Sequence, residues 1–89
     1  MATVTVNQLA GRWTGCCLVL KITAEGEDKI KVVKGNPYLP GSKTLHFTST
    51  TPNNWTENFW PSVQIRVQSQ RDLTYSEGFG TVSCQKVTA

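Results

Sequence analysis

The chain of 89 residues has little of what helical or membrane-spanning proteins need. Alanine, the strongest helix former, occurs only four times, and charged residues make up 17%, which is low for a helical bundle. The longest uncharged apolar run, residues 16–20, is far shorter than the roughly 20 residues that cross a bilayer. We therefore expect almost no helix and no membrane partner. The first six residues lack the basic and apolar regions of a secretory signal, so we expect a cytoplasmic chain or one secreted after removal of a leader.

Motifs for catalysis and cofactor binding are absent from the sequence as well. It contains no P-loop, no G-x-G-x-x-G fingerprint and no G-x-S-x-G elbow. The three cysteines show no C-x-x-C spacing, and the six acids lie nearly all in predicted turns. A cysteine nucleophile needs a base held beside it, and nothing orients the single histidine, His46, for that role. We expect no enzyme activity, no cofactor and no bound metal, with His46 exposed on a strand.

The charged residues do not form a concentrated patch. The net charge of +3 comes from nine basic and six acidic residues, and the densest basic group is Lys29, Lys31 and Lys34. A nucleic-acid-binding protein usually shows a basic stripe, because its affinity comes from neutralising neighbouring phosphates. The charge pattern therefore does not favour nucleic acid as a partner.

Residues that favour β-strands are plentiful. Valine, isoleucine and threonine together account for 24 residues, and apolar side chains recur with a period of two rather than 3.6. Strands of this kind at short spacing are typical of small sandwiches and barrels. The sequence predicts one all-β domain over residues 1–89, a small antiparallel β-sandwich or β-barrel of six or seven strands.

The predicted strands differ in how many faces they bury. The chain is predicted to begin with a short strand at residues 4–6, a turn or single helical turn at 7–11 and the longest strand at 12–23. Further strands are predicted at residues 29–34, 43–50, 59–70, 73–76 and 79–88. Loops are predicted at residues 35–42 and 51–58. The strand at 12–23 has apolar residues on both faces, with Trp13, Cys17 and Val19 opposite Leu18. Because so small a chain cannot cover both faces, we predict a homo-oligomer that shares this strand.

The three cysteines leave two structural alternatives open. In a continuous strand Cys16 points to the same side as Leu18, and Cys84 shares a face with Val82 in the last strand. If those strands are neighbours, Cys16 and Cys84 reach one interior. They then either remain reduced and buried, together with Cys17, or form a Cys16–Cys84 disulfide.

The segment of residues 52–61 is the most informative for function, because it combines three aromatic residues with three asparagines and an acid. Aromatic faces stack on the C–H patches of sugars while amide and carboxylate groups bond to hydroxyls. We expect Trp55 to be exposed in the loop and Trp60 to cap the core. The candidate ligand-binding residues are Tyr38, Asn53, Asn54, Trp55, Glu57 and Asn58. Residues 54–56 also form an N-glycosylation sequon.

These residues favour a non-enzymatic recognition module of lectin type, with a carbohydrate or glycoprotein as its partner. One alternative is a protein-binding module, such as an inhibitor, effector or structural subunit, that uses exposed loops or an open strand edge. Another is an OB-like binder of single-stranded nucleic acid, in which Lys29, Lys31 and Arg66 would contact the phosphate backbone of the nucleic acid. Sugar binding is expected to be insensitive to salt, whereas nucleic-acid binding weakens steeply with it.

The tripeptide Gly11-Arg12-Trp13 resembles the G-x-W start of lipocalin-like and avidin-like barrels. The resemblance covers three residues and implies no binding residue elsewhere in the chain. Eight strands of about nine residues with their turns would strain a chain of 89 residues, so the expected strand number stays at six or seven. From the residues alone, Trp13 is predicted to close the base of the core.

Overall fold

The computed structural model describes residues 5–78 and 80–87, apart from the side chain of Leu39. Of the predicted strand ends, Val4, Phe79 and Thr88 lie outside the described residues. The described part consists of a short helix and eight strands: α1 (Val6–Leu9), β1 (Gly11–Thr14), β2 (Val19–Ala24), β3 (Lys29–Asn36), β4 (Leu39–Thr51), β5 (Asn54–Glu57), β6 (Gln64–Val67), β7 (Asp72–Ser76) and β8 (Thr81–Lys86). The helix is not long and apolar enough to cross a membrane.

The eight strands form a closed antiparallel barrel in which each strand pairs with the next and β1 pairs with β8. The all-β class is therefore confirmed, and the expected six or seven strands become eight. Eight strands fit because six of them are only four to six residues long. The estimate of about nine residues per strand was wrong for this chain.

Period-two alternation correctly identifies the inward residues of several strands. Ile30 and Val32 on β3, Leu45 and Phe47 on β4, and Ile65 and Val67 on β6 are all buried in one core. Their neighbours along each strand are more exposed. The closed sheet thus buries a single apolar face on the inside, which is the arrangement that alternation encodes.

The prediction of one long strand at residues 12–23 was wrong. The segment forms a hairpin, with β1 and β2 joined by a turn at residues 15–18 and Trp13 paired with Leu20. The turn reverses the chain, so both side chains point into the barrel, where each is 0% exposed. Cys17 is exposed and Val19 is half-buried. Trp13 therefore closes its own core as expected and cannot be shared with another subunit.

Two further local predictions were wrong. Val6 begins the helix instead of belonging to a strand, because Thr5 caps the helix in a capping box with Gln8. The region 35–42 is largely strand: β3 and β4 continue to a tight turn at residues 37–38, with a register shift between Gly35 and Asn36. That shift lets the strand ends accommodate prolines that break regular pairing.

The two ends of the barrel differ. Because the strands alternate in direction, α1 and the turns at residues 25–28, 52–53 and 68–71 lie at one end, called the helix end. The turns at residues 15–18, 37–38, 58–63 and 77–80 lie at the other end, called the mouth. At the helix end Leu9 is fully buried and its carbonyl oxygen accepts a hydrogen bond of 2.9 Å from Trp13 Nε1. Lys86 donates to the Gln8 carbonyl and lies 5.8 Å from the Trp13 ring. The helix end is therefore plugged by these side chains, and two depressions lie at the mouth.

Candidate functional site at the barrel mouth

The structure does not bring the six predicted ligand-binding residues together. Asn53 and Asn54 lie at the helix end, and the Asn54 side chain bonds Thr51 Oγ1 at 2.7 Å and Arg66 Nε at 3.3 Å. Tyr38 lies at the mouth and is 79% exposed. Asn58 also lies at the mouth, where its side chain accepts a hydrogen bond from Thr48. The predicted set is therefore divided between opposite ends of the barrel.

The expected environments of the two tryptophans are reversed. Trp55 lies on β5 and is 3% exposed in the core, whereas Trp60 lies in the turn at residues 58–63 and is 60% exposed. Residues 54–57 alternate between half-buried and buried, so Trp55 and Glu57 point inward from a strand instead of outward from a loop. The alternation was present in the sequence, but the asparagine, threonine and glutamate around Trp55 concealed it. The exposed tryptophan of this segment is therefore Trp60.

A depression of about 400 Å³ at the mouth has Trp60 in its wall. Its apolar lining comes from Trp60, Leu45, Val63 and the Tyr75 ring, and its polar lining from Lys43, Ser62 and Glu77. Lys43 faces the mouth because it alternates with the inward residues Leu45 and Phe47 along β4. This depression, with an exposed indole beside charged and hydroxyl groups, is the candidate site and is called the Trp60 pocket.

The turn that carries Trp60 is held by the buried Glu57. Glu57 is 3% exposed, and its Oε2 accepts hydrogen bonds from the backbone N–H groups of Phe59 and Trp60 at 2.6 and 2.5 Å. The backbone of Glu57 also donates to the Val63 carbonyl at 3.0 Å, and Val63 donates to the Trp60 carbonyl at 2.8 Å. These bonds fix the turn at both ends. Glu57, predicted as a ligand-binding residue, therefore positions Trp60 from inside the barrel.

A hydrogen-bonded ion pair lies in the floor of the mouth. Glu77 Oε1 accepts from Lys34 Nζ and from the Tyr75 hydroxyl, the latter at 2.7 Å. Lys34 Nζ also lies 5.3 Å from the centroid of the Tyr75 ring. The bonds from Lys34 and Tyr75 lower the pKa of Glu77, while burial and the neighbouring carboxylate raise the pKa of Tyr75. Glu77 is therefore ionised and Tyr75 neutral at pH 7. Among the described residues, the Lys43 side chain takes part in no ion pair or hydrogen bond, although its charge also lowers the pKa of Glu77.

A second depression of about 380 Å³ lies on the other side of Lys34, Tyr75 and Glu77. Its wall is formed by the β1–β2 turn and by the start of β8, with Leu18 and Val82 as its apolar members and Cys16 and Cys17 at its edge. This depression is called the cysteine groove. The two depressions share Tyr75 and Glu77, so the mouth is one continuous uneven surface.

The cysteines and His46 do not form a metal site or a nucleophile–base pair in the described residues. All three cysteines are free; Cys16 and Cys17 are exposed and Cys84 is buried, so neither three buried thiols nor a Cys16–Cys84 disulfide is present. His46 lies on the outer side of β4, as expected, with its Nδ1 2.9 Å from Glu25 Oε1. No group of three metal-ligating side chains exists among residues 5–78 and 80–87.

Sequence reasoning missed four residues of the mouth: Lys34, Lys43, Ser62 and Glu77. They lie on β3, on β4, in the turn at residues 58–63 and in the turn at residues 77–80, which come together only when the barrel closes. One signal was available for the lysines, since Lys34 and Lys43 continue the inward alternation of β3 and β4 beyond the last apolar residue. A charged residue at such a position marks the end of the core and hence the rim of a barrel.

Comparison of the chain with protein-family models, curated proteins and solved structures finds no match.

Proposed function

We propose that the protein is a non-enzymatic recognition module that binds carbohydrate in the Trp60 pocket. The observation that carries the proposal is the 60% exposed Trp60 indole in a pocket that also contains Lys43, Ser62 and Glu77. An indole face stacks on the C–H surface of a sugar ring, while ammonium, hydroxyl and carboxylate groups bond to its hydroxyls. The volume of about 400 Å³ lies in the range of small-ligand sites, roughly 300–1,000 Å³.

The fixed turn beneath Trp60 supports the same proposal. Binding to a rigid aromatic side chain loses less conformational entropy than binding to a mobile one. The Glu57 carboxylate and the Trp60–Val63 backbone bond fix the backbone that carries the indole before any ligand arrives. The sugar-binding hypothesis is thus kept, and its aromatic platform moves from Trp55 to Trp60.

A protein partner is the second candidate, because further aromatic side chains project from the mouth. Phe59 is 80% exposed and Tyr38 is 79% exposed. Aromatic residues are enriched at protein interfaces, where they insert into a partner's pockets. The closed barrel leaves no unpaired edge among its eight strands, so such a partner would bind these turns and not a strand edge.

The test is a glycan array followed by calorimetric titration of the best oligosaccharide against the parent chain, Trp60→Ala and Phe59→Ala. Phe59 is the matched control, because it is an exposed neighbour that does not line the Trp60 pocket. We expect salt-insensitive binding that Trp60→Ala weakens by about tenfold or more and Phe59→Ala leaves nearly unchanged. Equal loss in both variants, or no binding to any glycan, contradicts the proposal.

A single-stranded oligonucleotide titrated in parallel tests the nucleic-acid alternative, since its binding would fall steeply with salt.

A further inference from the structure

Cys16 and Cys17 form a close pair of thiols at the mouth, outside the lining of the Trp60 pocket. Their Sγ atoms lie 3.1 Å apart, and both side chains are exposed at the edge of the cysteine groove. Adjacent residues in a strand point to opposite faces. The β1–β2 turn removes that constraint and directs both side chains to the same side.

The turn has a rigid base and a tip outside the strand ladder. The backbone N–H of Gly15 donates to the Leu18 carbonyl at 2.8 Å, and ladder pairing ends at Thr14 and Val19. The peptide unit between the two cysteines can therefore rotate without breaking a β1–β2 ladder bond.

The third cysteine is separated from this pair chemically. Cys84 is 1% exposed, and burial raises its pKa to about 11. A buried, protonated thiol is a poor nucleophile and is not reached by a polar reagent. Oxidation is therefore directed to Cys16 and Cys17.

We propose that Cys16 and Cys17 are a vicinal-dithiol site that reacts with a low-molecular-weight disulfide and closes to a disulfide between adjacent residues. The Cys16 thiolate attacks one sulfur of the small disulfide, the S–S bond breaks, and one thiolate leaves. Cys17 Sγ then attacks Cys16 Sγ and expels the second thiolate. Two protein thiols are oxidised, one external disulfide is reduced to two thiols, and the two protein protons end on those thiols.

The order of attack follows from the contact between the two thiols. The hydrogen bond and the charge of Cys16 raise the pKa of Cys17, which favours Cys16 as the first thiol to react. A disulfide confined to adjacent residues is strained, and strained disulfides are easily reduced. The site therefore cycles with the redox state of its surroundings and changes the wall of the cysteine groove as it does so.

The experiment exposes the fully reduced protein to oxidised glutathione, blocks remaining thiols with iodoacetamide and maps the tryptic peptides by mass spectrometry. Cleavage at Arg12, Lys21, Arg71 and Lys86 places Cys16 and Cys17 on the peptide of residues 13–21 and Cys84 on that of residues 72–86. We expect the first peptide to lose the mass of two hydrogen atoms and carry no label or glutathione. The second peptide is expected to retain its thiol, and dithiothreitol is expected to restore the reduced mass.

The Cys17→Ser variant is the matched control, since it can form the mixed disulfide but cannot resolve it. It is expected to retain one glutathione on the peptide of residues 13–21. The proposal is overturned if the parent chain stays reduced, accumulates glutathione like Cys17→Ser, or links the peptide of residues 13–21 to that of residues 72–86.

Discussion

Trp55 and Trp60 are five positions apart in the chain and have opposite structural roles. The first fills the core from β5, while the second stands in the wall of the Trp60 pocket. Trp55 lies among polar residues and Trp60 lies beside Phe59 and Pro61, so local composition predicts the wrong tryptophan to be exposed. What separates them is register: Trp55 pairs with Ile65 across β5 and β6, and a residue opposite a buried one on the same face is itself buried.

Truncating each tryptophan to alanine should separate stability from binding. Trp55→Ala should lower the free energy of unfolding by about 3–5 kcal/mol, the cost of a large-to-small change in a core. Trp60→Ala should leave the melting temperature nearly unchanged, because it removes an exposed side chain and opens no cavity. Thermal and urea denaturation measure both. A Trp60→Ala variant that unfolds more easily than Trp55→Ala would contradict the assigned environments.

Glu77 should make stability depend on pH in the acid range. Its pKa is lowered from an ordinary value of 4.5 by the bonds from Lys34 and Tyr75, so the folded state binds a proton less readily than the unfolded chain. The contribution is complete above pH 4.5 and is lost as pH falls through the lower folded value. The free energy of unfolding of Glu77→Gln should therefore fall less than that of the parent chain below pH 4.5. Urea denaturation of both proteins at several pH values measures this difference. Parallel plots of unfolding free energy against pH for the two proteins would contradict this contribution of Glu77.

At the scale of elements, the β1–β2 turn depends on the absence of a side chain at Gly15. A Cβ there would lie 2.7 Å from Val82 Cγ1 and 2.9 Å from the Ser83 carbonyl oxygen. The backbone oxygen belongs to β8 and cannot move without disturbing that strand. The turn therefore lies against β8 beyond the short β1–β8 pairing, which ends at Thr14.

Gly15→Ala should destabilise the barrel by about 1–3 kcal/mol, the usual cost of overpacking. Gly26→Ala is the control, because its Cβ would meet no atom closer than 3.8 Å in the β2–β3 turn. Urea denaturation of the two variants gives the comparison. Equal stability of both variants would mean that the turn does not pack on β8 as described.

Sequence reasoning succeeded for strands whose apolar residues alternate and failed where the chain reverses. The burial of Ile30 and Val32, and of Leu45 and Phe47, is predicted by the period-two alternation of the residues around them. In residues 12–23 the turn at residues 15–18 is itself apolar, so no polar stretch in the sequence marks the point where the chain reverses. The alternation of β3 and β4 marks Lys34 and Lys43 as rim residues, but their meeting with Trp60 and Glu77 could not be predicted, because it depends on closure of the barrel.

At the scale of the whole molecule, closure gives the chain a single core and two unlike ends. All eight strands have two partners, which removes the sheet edge as a route to association. The predicted homo-oligomer no longer has a shared strand to support it and stays a prediction. The helix end is filled by Leu9 and Trp13, so the recognition that we propose is assigned to the mouth.

The most direct test of that assignment is a ¹H–¹⁵N NMR titration that follows the three tryptophan indole N–H signals as oligosaccharides of neutral hexoses, N-acetylhexosamines and hexuronic acids are added. The Trp13 indole is bonded to the Leu9 carbonyl and the Trp55 indole is buried, so only the Trp60 indole is open to a ligand. We predict that a binding sugar shifts the Trp60 signal strongly and leaves the Trp13 signal in place. A sugar that binds without moving the Trp60 signal, or a panel in which no sugar moves it, would contradict carbohydrate recognition in the Trp60 pocket.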